Sequence, residues 1–384
     1  MEIVARENIV TIMDHREGTL SKELVDDPWM IPRTISESWK PQMTDRLPDT
    51  FCGGWIGYFS YDTVRHVQKA NLPSSRATQD DINLADMHLG LYVDVIVLDH
   101  VEKKAHVIHW VMVDRHPCVE SAYSDGVKCL EKLVSKVHDI NPPRLPAGYV
   151  TSPNHQFGPF IKSKLSSKEY SEAVERAKEH IVAGDVSQIV LSQGFERPTF
   201  TAPFEVYRAM RVVSPDHCMT YLQARGCILV ASSPEVVTCA KKVSGELRHN
   251  VTCWDVLRAA LPVCTVCGTP KIMAMKVTDK PEMTSRGPCG GGFVSISFNG
   301  DVEIAVDSRI MVFPTETQDA EKGKSRRQWI AYLQAGATIC VDTDPESEYC
   351  KCQSEVAHVA QAIDLAETAF IQGQTQTLNR REQE

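Results

Sequence analysis

Two patterns of apolar residues organise the chain, one a spacing with the period of a helix and one of short unbroken runs. The densest stretch is residues 184–235. There Ile189-Val190-Leu191 and Cys227-Ile-Leu-Val-Ala231 are short apolar runs bounded by turn residues, the pattern of buried strands. Between them, Val206, Ala209, Met210 and Val213 repeat at helical spacing within Pro203-Phe-Glu-Val-Tyr-Arg-Ala-Met-Arg-Val-Val213. Just upstream, Tyr170, Ala173, Val174, Ala177 and Ile181 line one helix face, Ser166-x-x-Glu169 forms a capping box, and Gly184 supplies the stop. By spacing alone this is a strand–helix–strand core and nothing more.

The same patterns extend outward. Phe51-Cys-Gly-Gly-Trp-Ile-Gly-Tyr-Phe-Ser-Tyr-Asp62 reads as an aromatic strand whose glycines admit close backbone approach. Residues 91–99 and 105–114 predict a hairpin, and Val119, Ala122, Tyr123, Val127, Leu130, Val134 and Val137 predict an amphipathic helix upon it. Residues 141–159 hold five prolines and two glycines, a loop or connection. Thr269-Pro270 predicts an N-cap and first helical residue. Residues 329–342 read as a strand. Val356, Val359, Ala360, Ile363, Ala366 and Phe370 predict the last helix, before a Gln-rich polar tail expected to be disordered. The domains expected are 1–140, a linker at 141–160, 161–370, and the tail 371–384.

Composition narrows the class. A charged content of 24% beside 42% hydrophobic residues describes a globular chain, and a net charge of −9 argues against nucleic-acid binding. No apolar segment approaches the length of a membrane helix, about 20 residues. The acidic start, Met1-Glu-Ile-Val-Ala-Arg-Glu7, resembles neither a secretory signal nor a transit peptide. Thirteen scattered cysteines, an odd number, favour reduced thiols. Cys264-x-x-Cys267 and Cys350-x-Cys352 raise a structural zinc only weakly, and His106 and His109 fall on opposite strand faces. Gly323-Lys-Ser325 and Cys289-Gly-Gly-Gly292 lack the remainder of a phosphate loop.

Longer runs carry more. Gly184-Asp185, Gln188-Ile-Val-Leu-Ser-Gln193, Pro203-Phe-Glu-Val-Tyr-Arg208, Tyr221-Leu-Gln-Ala-Arg-Gly-Cys-Ile-Leu-Val230 and Ser233-Pro-Glu235 resemble the plant-type anthranilate synthase large (alpha) subunit, a chorismate-utilising enzyme. The likeness runs from Met1 to about residue 370. It implies an α+β fold, mostly antiparallel sheets in a layered core with helices outside. It implies conversion of chorismate and ammonia to anthranilate and pyruvate in tryptophan biosynthesis. It also implies Mg²⁺, a separate glutamine amidotransferase small (beta) subunit as partner, and a plastid location. A chain translated as written, without a transit peptide, would instead be cytoplasmic.

By the same resemblance Arg309 grips a substrate carboxylate, where a surface ion pair is the plainer reading. Gly336-Ala337-Thr338 matches a Gly-Ala-Gly run whose backbone meets substrate, with Thr338 adding bulk. Cys289 stands for a substrate-binding tyrosine, and Gln188 matches the glutamine of ammonia-using members. Glu348 matches the first of two metal-binding glutamates, Lys351 replaces the second, and Glu355 replaces a lysine. Both changes invert charge, and a protonated lysine offers Mg²⁺ no lone pair. His217, Cys218 and Met219 are the altered remnant of a tryptophan feedback site, which is expected not to bind tryptophan.

After Lys242 the resemblance skips several tens of residues that carry the family's catalytic histidine, another metal glutamate and a Gly-Thr pair. The gap is expected to break a sheet and expose apolar edges. Two readings therefore stand. One is an Mg²⁺-dependent chorismate lyase. The other is an inactive truncated paralogue, or a scaffold that binds a partner.

Overall fold

The computed structural model describes residues 1–72, 84–138, 162–216, 218–233, 245–246, 250–279, 282, 285–306, 309–315 and 328–368. The expected linker at 141–160, the tail 371–384, Phe370, His217 and the junction after Lys242 lie outside these residues.

The first sheet begins with β1 (Glu2–Arg6), β2 (Ile9–Asp14), β3 (Thr19–Leu24), β4 (Gly54–Phe59) and β5 (Met87–Tyr92). Helices α1 (Met30–Glu37) and α2 (Val64–Val67) lie between them in sequence. Then β6 (Asp94–Asp99) and β7 (Lys104–His109) form a separate two-stranded sheet, followed by α3 (Val119–His138). The second half supplies β8 (Lys162–Ser163), α4 (Ser167–Val182), β9 (Gln188–Thr199), α5 (Pro203–Val213), β10 (Cys218–Ala224) and β11 (Cys227–Ser233). It continues with α6 (Cys253–Ala260), α7 (Cys264–Cys267), β12 (Gly268–Thr269), α8 (Lys271–Thr278), β13 (Gly292–Ser297) and β14 (Val302–Ala305). It ends with β15 (Arg309–Pro314), β16 (Trp329–Ile339) and α9 (Pro345–Ala366).

Strand order is β14-β13-β4-β5-β1-β2-β3 in the first large sheet and β10-β11-β15-β16-β9-β12 in the second, with β8 also on β9. Every pairing among the described residues is antiparallel. This is the α+β architecture expected, and neither sheet is broken among the described residues. The sheets do not divide the chain at residues 141–160, because β13 and β14 complete the first sheet from the far side of the sequence.

The layers follow from strand alternation. On β11, Ile228 and Val230 join the core beneath α4, α5 and α9, whereas Cys227, Leu229 and Ala231 face the first sheet. On β15, Met311 and Phe313 take the helix side, and Ile310 and Val312 the sheet side. On β4, Trp55 and Phe59 pack with Trp29 of the α1 approach and with Trp254 and Leu257 of α6, while Tyr58 enters the layer between the sheets. The result is helices, sheet, sheet, helices. Strands buried on both faces lose polar alternation, which is why residues 227–231 read as one apolar run.

Local predictions meet mixed outcomes. The helix of residues 203–213 and the Ser166–Glu169 capping box are as expected. Residues 91–99 are split, because Leu91 lies in β5 of the large sheet and only β6 pairs with β7. Val119 and Tyr123 of α3 are exposed at 65% and 72%, since this helix has only the small β6–β7 sheet to cover. Pro270, not Thr269, is the N-cap of α8, and Thr269 pairs with Gln188. Gly57 answers the close approach foreseen for its strand, as a Cβ there would lie 1.8 Å from the His88 carbonyl oxygen.

One polar contact ties the sheets together. The Glu2 carboxylate on β1 accepts from His88 Nε2 (2.7 Å), Arg225 Nη2 (3.0 Å) and His15 Nε2 (3.1 Å). Arg225 lies in the turn between β10 and β11. The His88 hydrogen bond, opposed by burial and aided by Arg225, lowers the Glu2 pKa from 4.5 to about 2. A depressed carboxylate stabilises the fold above its unfolded pKa and loses that contribution as pH falls through its folded pKa. Glu2→Gln is therefore expected to lower unfolding free energy by on the order of 1–3 kcal/mol at neutral pH. In urea titrations the gap to the unmodified chain should hold down to about pH 5 and close toward pH 2.

Candidate functional site

Strand β9 is the axis of the site. Its residues 189–199 pair with the whole of β16, from Trp329–Thr199 to Ile339–Ile189. Ile189 and Leu191 enter the helix-side core, so Gln188, Val190 and Ser192 face the other way. Their partners Thr338 and Gly336 share that face, while Ala337 is buried opposite Leu191.

A buried ion pair fixes the neighbouring loop to this face. Arg286 is 5% exposed and Glu282 7%. Arg286 Nε donates to Glu282 Oε2 at 2.7 Å, and Nη2 donates to the Val190 carbonyl at 2.6 Å. Nη1 reaches the Val266 carbonyl, and the Ser192 N–H donates to Glu282 Oε1 at 2.9 Å. The guanidinium also lies 4.4 Å from the centre of the Tyr61 ring, and the Tyr61 N–H donates to the Gly287 carbonyl at 2.8 Å. One side chain thus joins β9, α7, the 285–292 loop and the end of the first sheet. Sequence reasoning passed over Glu282, although a Glu and an Arg four residues apart before Gly-Pro was a visible signal.

The same loop explains its glycines. A Cβ on Gly291 would sit 2.0 Å from the Phe59 carbonyl oxygen, so close packing on β4 accounts for this glycine without a phosphate. Cys289, at the position expected to bind substrate, is half-buried against the apolar layer between the sheets. Burial pushes its thiol up to about 12, against the opposing charge of Arg286. It is a neutral thiol at physiological pH and not a nucleophile.

Arg309 stands on the opposite face. It shares the side of β15 taken by Met311 and Phe313, toward the helices. Its Nη1 donates to Ser214 Oγ at 2.8 Å and lies 3.9 Å from Asp216 Oδ2. Arg309, Leu333, Gln334 and Val359 line a small cleft with Glu355 of α9. The structure therefore groups Arg309 with Glu355, and Gln188, Gly336 and Thr338 with the loop of Arg286 and Cys289. It does not gather all the residues named from the sequence around one point.

Glu348 and Lys351 occupy successive turns of α9. The Lys351 ammonium donates to the Glu348 carboxylate, which raises the lysine's pKa. An ammonium seated on the carboxylate takes the place a hard cation would need, and Mg²⁺ requires near-octahedral oxygen ligands. No three Asp, Glu, His or Cys side chains are arranged to hold a metal ion among the described residues. Among the described residues, the Glu348–Lys351 pair offers a divalent ion no open carboxylate. Nor are the cysteine pairs arranged for zinc. Cys264 is exposed while Cys267 is buried, and the Cys267 thiol donates to the Val263 carbonyl at 3.1 Å. His109 Nδ1 lies 2.5 Å from Asp94 Oδ1, a two-residue hydrogen-bond contact and not a metal ligand set. Cys218 and Met219 open β10, the first exposed and the second against the helix-side core.

Comparison with known proteins decides the family. The chorismate binding enzyme model matches residues 10–242 and 236–359. The chain belongs to the chorismate binding enzyme family. It is 49% identical over 460 residues to anthranilate synthase alpha subunit 1, chloroplastic, of Arabidopsis thaliana, covering 97% of this chain and 77% of the relative. The corresponding alpha subunit 1 of Oryza sativa subsp. indica is 46% identical, covering 97% and 79%. Among solved structures, anthranilate synthase component I from Streptococcus pneumoniae TIGR4 shares the fold with a TM-score of 0.70, at 22% identity, covering 94% of this chain and 92% of that one. No helix among the described residues is long and apolar enough to cross a membrane.

The buried ion pair gives this geometry a test. Removing one partner strands a charge, which typically costs about 3–5 kcal/mol, whereas replacing both can be far milder. Arg286→Met and Glu282→Gln should each destabilise strongly in urea titration. The Glu282→Leu/Arg286→Met double variant should lose clearly less than the sum of the two single losses.

Proposed function

We propose that this chain is an anthranilate-synthase-type large subunit that keeps a carboxylate-gripping arginine but has lost the divalent-metal half of its site. The family reaction adds ammonia to chorismate as the ring hydroxyl leaves as water. Loss of the enolpyruvyl group as pyruvate, with a ring proton, then gives anthranilate. Identity along nearly the whole chain supports the lineage. The observation that carries the loss is the Lys351–Glu348 ion pair, which seats an ammonium where an ion would bind.

Four further parts belong to the same proposal. An internal segment is missing near residue 240. The alignment with the Arabidopsis relative spans more residues than this chain has, and the second family match resumes at 236 before the first ends at 242. The partner is a glutamine amidotransferase small subunit that supplies ammonia. The location is the plastid, as the plant relatives' names state of those proteins. Arg309 serves as the anion grip, with Gln188, Cys289 and Gly336-Ala337-Thr338 forming the remainder of the ancestral substrate surface. A partner-binding scaffold is the second reading. Ile96 and Leu98, exposed at 46% and 60% on the outer face of β6, favour it.

With chorismate, excess ammonium and Mg²⁺, anthranilate fluorescence should show no turnover approaching about 1 s⁻¹, an ordinary enzyme rate. Each lost preorganised charge partner costs roughly 10²- to 10³-fold in rate. Lys351→Glu alone should not restore activity, and ordinary turnover by the unmodified chain would refute the loss.

A further inference from the structure

The surroundings of Arg309 are unusual for a residue that is to receive an anion. Two carboxylates from distant parts of the chain flank it. Asp216, just past α5, stands 3.9 Å from its Nη1, and Glu355 of α9 lines the same cleft. Asp216 is itself held in place. Its carboxylate accepts from Ser214 Oγ at 3.3 Å and from Ser232 Oγ, and Ser214 Oγ is also the group to which Arg309 donates. The arrangement is a network spanning α5, β11, β15 and α9. Its walls are apolar, with Leu333, Val356 and Val359, and a low-dielectric wall strengthens the charges within it.

We propose that Asp216 and Glu355 are specificity-determining residues that act as internal counter-ions of Arg309 and set this cleft against dicarboxylate ligands. The proposal rests on reading Arg309 as the carboxylate grip. An incoming carboxylate must displace or lie beside one of the two resident ones. Like charges in such a place disfavour the ligand strongly. Partial burial pushes the Glu355 carboxyl above its ordinary range while Arg309 pulls against that shift, as expected for two groups facing one cleft. Ligands with a single negative charge bear a smaller repulsion than those with two, so the cleft ranks monocarboxylates above dicarboxylates.

The test is calorimetric titration of the full chain with chorismate, and with benzoate as the monocarboxylate. Glu355→Gln and Asp216→Asn should each tighten chorismate by about tenfold, with benzoate changing less. The double variant should gain more. Raising salt from about 0.05 to 0.5 M should shrink each gain, because screening shortens the reach of exposed charges. Adding Arg309→Met should abolish the gain. Equal chorismate affinity in all forms, including no binding in any, would overturn the proposal, as would a gain that survives loss of Arg309. Asn at 216 keeps an acceptor for Ser232, and Glu355 sits at the solvent-exposed rim. Should Asp216→Asn unfold, Glu355→Gln alone still decides. Turnover by the unmodified chain bears on the earlier reading and leaves these affinity ratios unaffected.

Discussion

The buried pair of Glu282 and Arg286 is the constraint around which the middle of the molecule is arranged. Neither group can be left alone there, because an unpaired buried charge is among the costliest features a fold can carry. Each is therefore satisfied several times over. Glu282 holds a β9 amide as well as the guanidinium, and Arg286 reaches two carbonyls and an aromatic ring. This over-determination sets the register of the 285–292 loop against β9. The loop in turn delivers Gly291 into contact with Phe59 and so seats β13 beside β4. Nearby, Ser285 donates to Asp62, and Arg65 bridges Asp62 and Asp279. Polar contacts specify how the two sheets meet, while the apolar layer between them supplies most of the driving force.

Much of this was legible in the chain. Short apolar runs and period-3.6 patterns located β9, α5, β11, β16 and α9, since their faces are buried and packing enforces the pattern. The capping box at Ser166 was readable because both partners lie within four residues. What failed was of two kinds. Leu91 and Ile96 look alike in sequence, yet the first lies in a strand of the large sheet and the second sits exposed on a hairpin. Pairing partners distant in sequence decide that. Tyr123 and Val119 fit an amphipathic face, but α3 packs on a sheet of only two strands, too small to cover them.

The site was legible residue by residue and not as an arrangement. Arg309, Glu348, Lys351 and Glu355 could be named from their motifs, and the Lys351–Glu348 contact follows from helical spacing of three. The approach of Asp216 to Arg309 could not be foreseen, because their positions are joined only through the pairing of β11 with β15. Strand parity supplied the other surprise. Arg309 alternates with Ile310 on β15, and Thr338 with Ala337 on β16, so the two named groups fall on opposite faces of one sheet.

This separation lets charges at the rim of the cleft vary with little cost to the fold. The helix-side core uses Met311, Phe313, Val356, Val359 and Ile363, and the layer between the sheets uses Leu229, Ile310 and Val312. Lys351 and Glu355 contribute no apolar side chain to either layer, and both lie at the solvent boundary. A charge inverted at such a position changes what the cleft attracts while typically shifting stability by only about 0.5 kcal/mol. Selection for folding therefore acts on Glu282 and Arg286 but scarcely on Lys351 or Glu355.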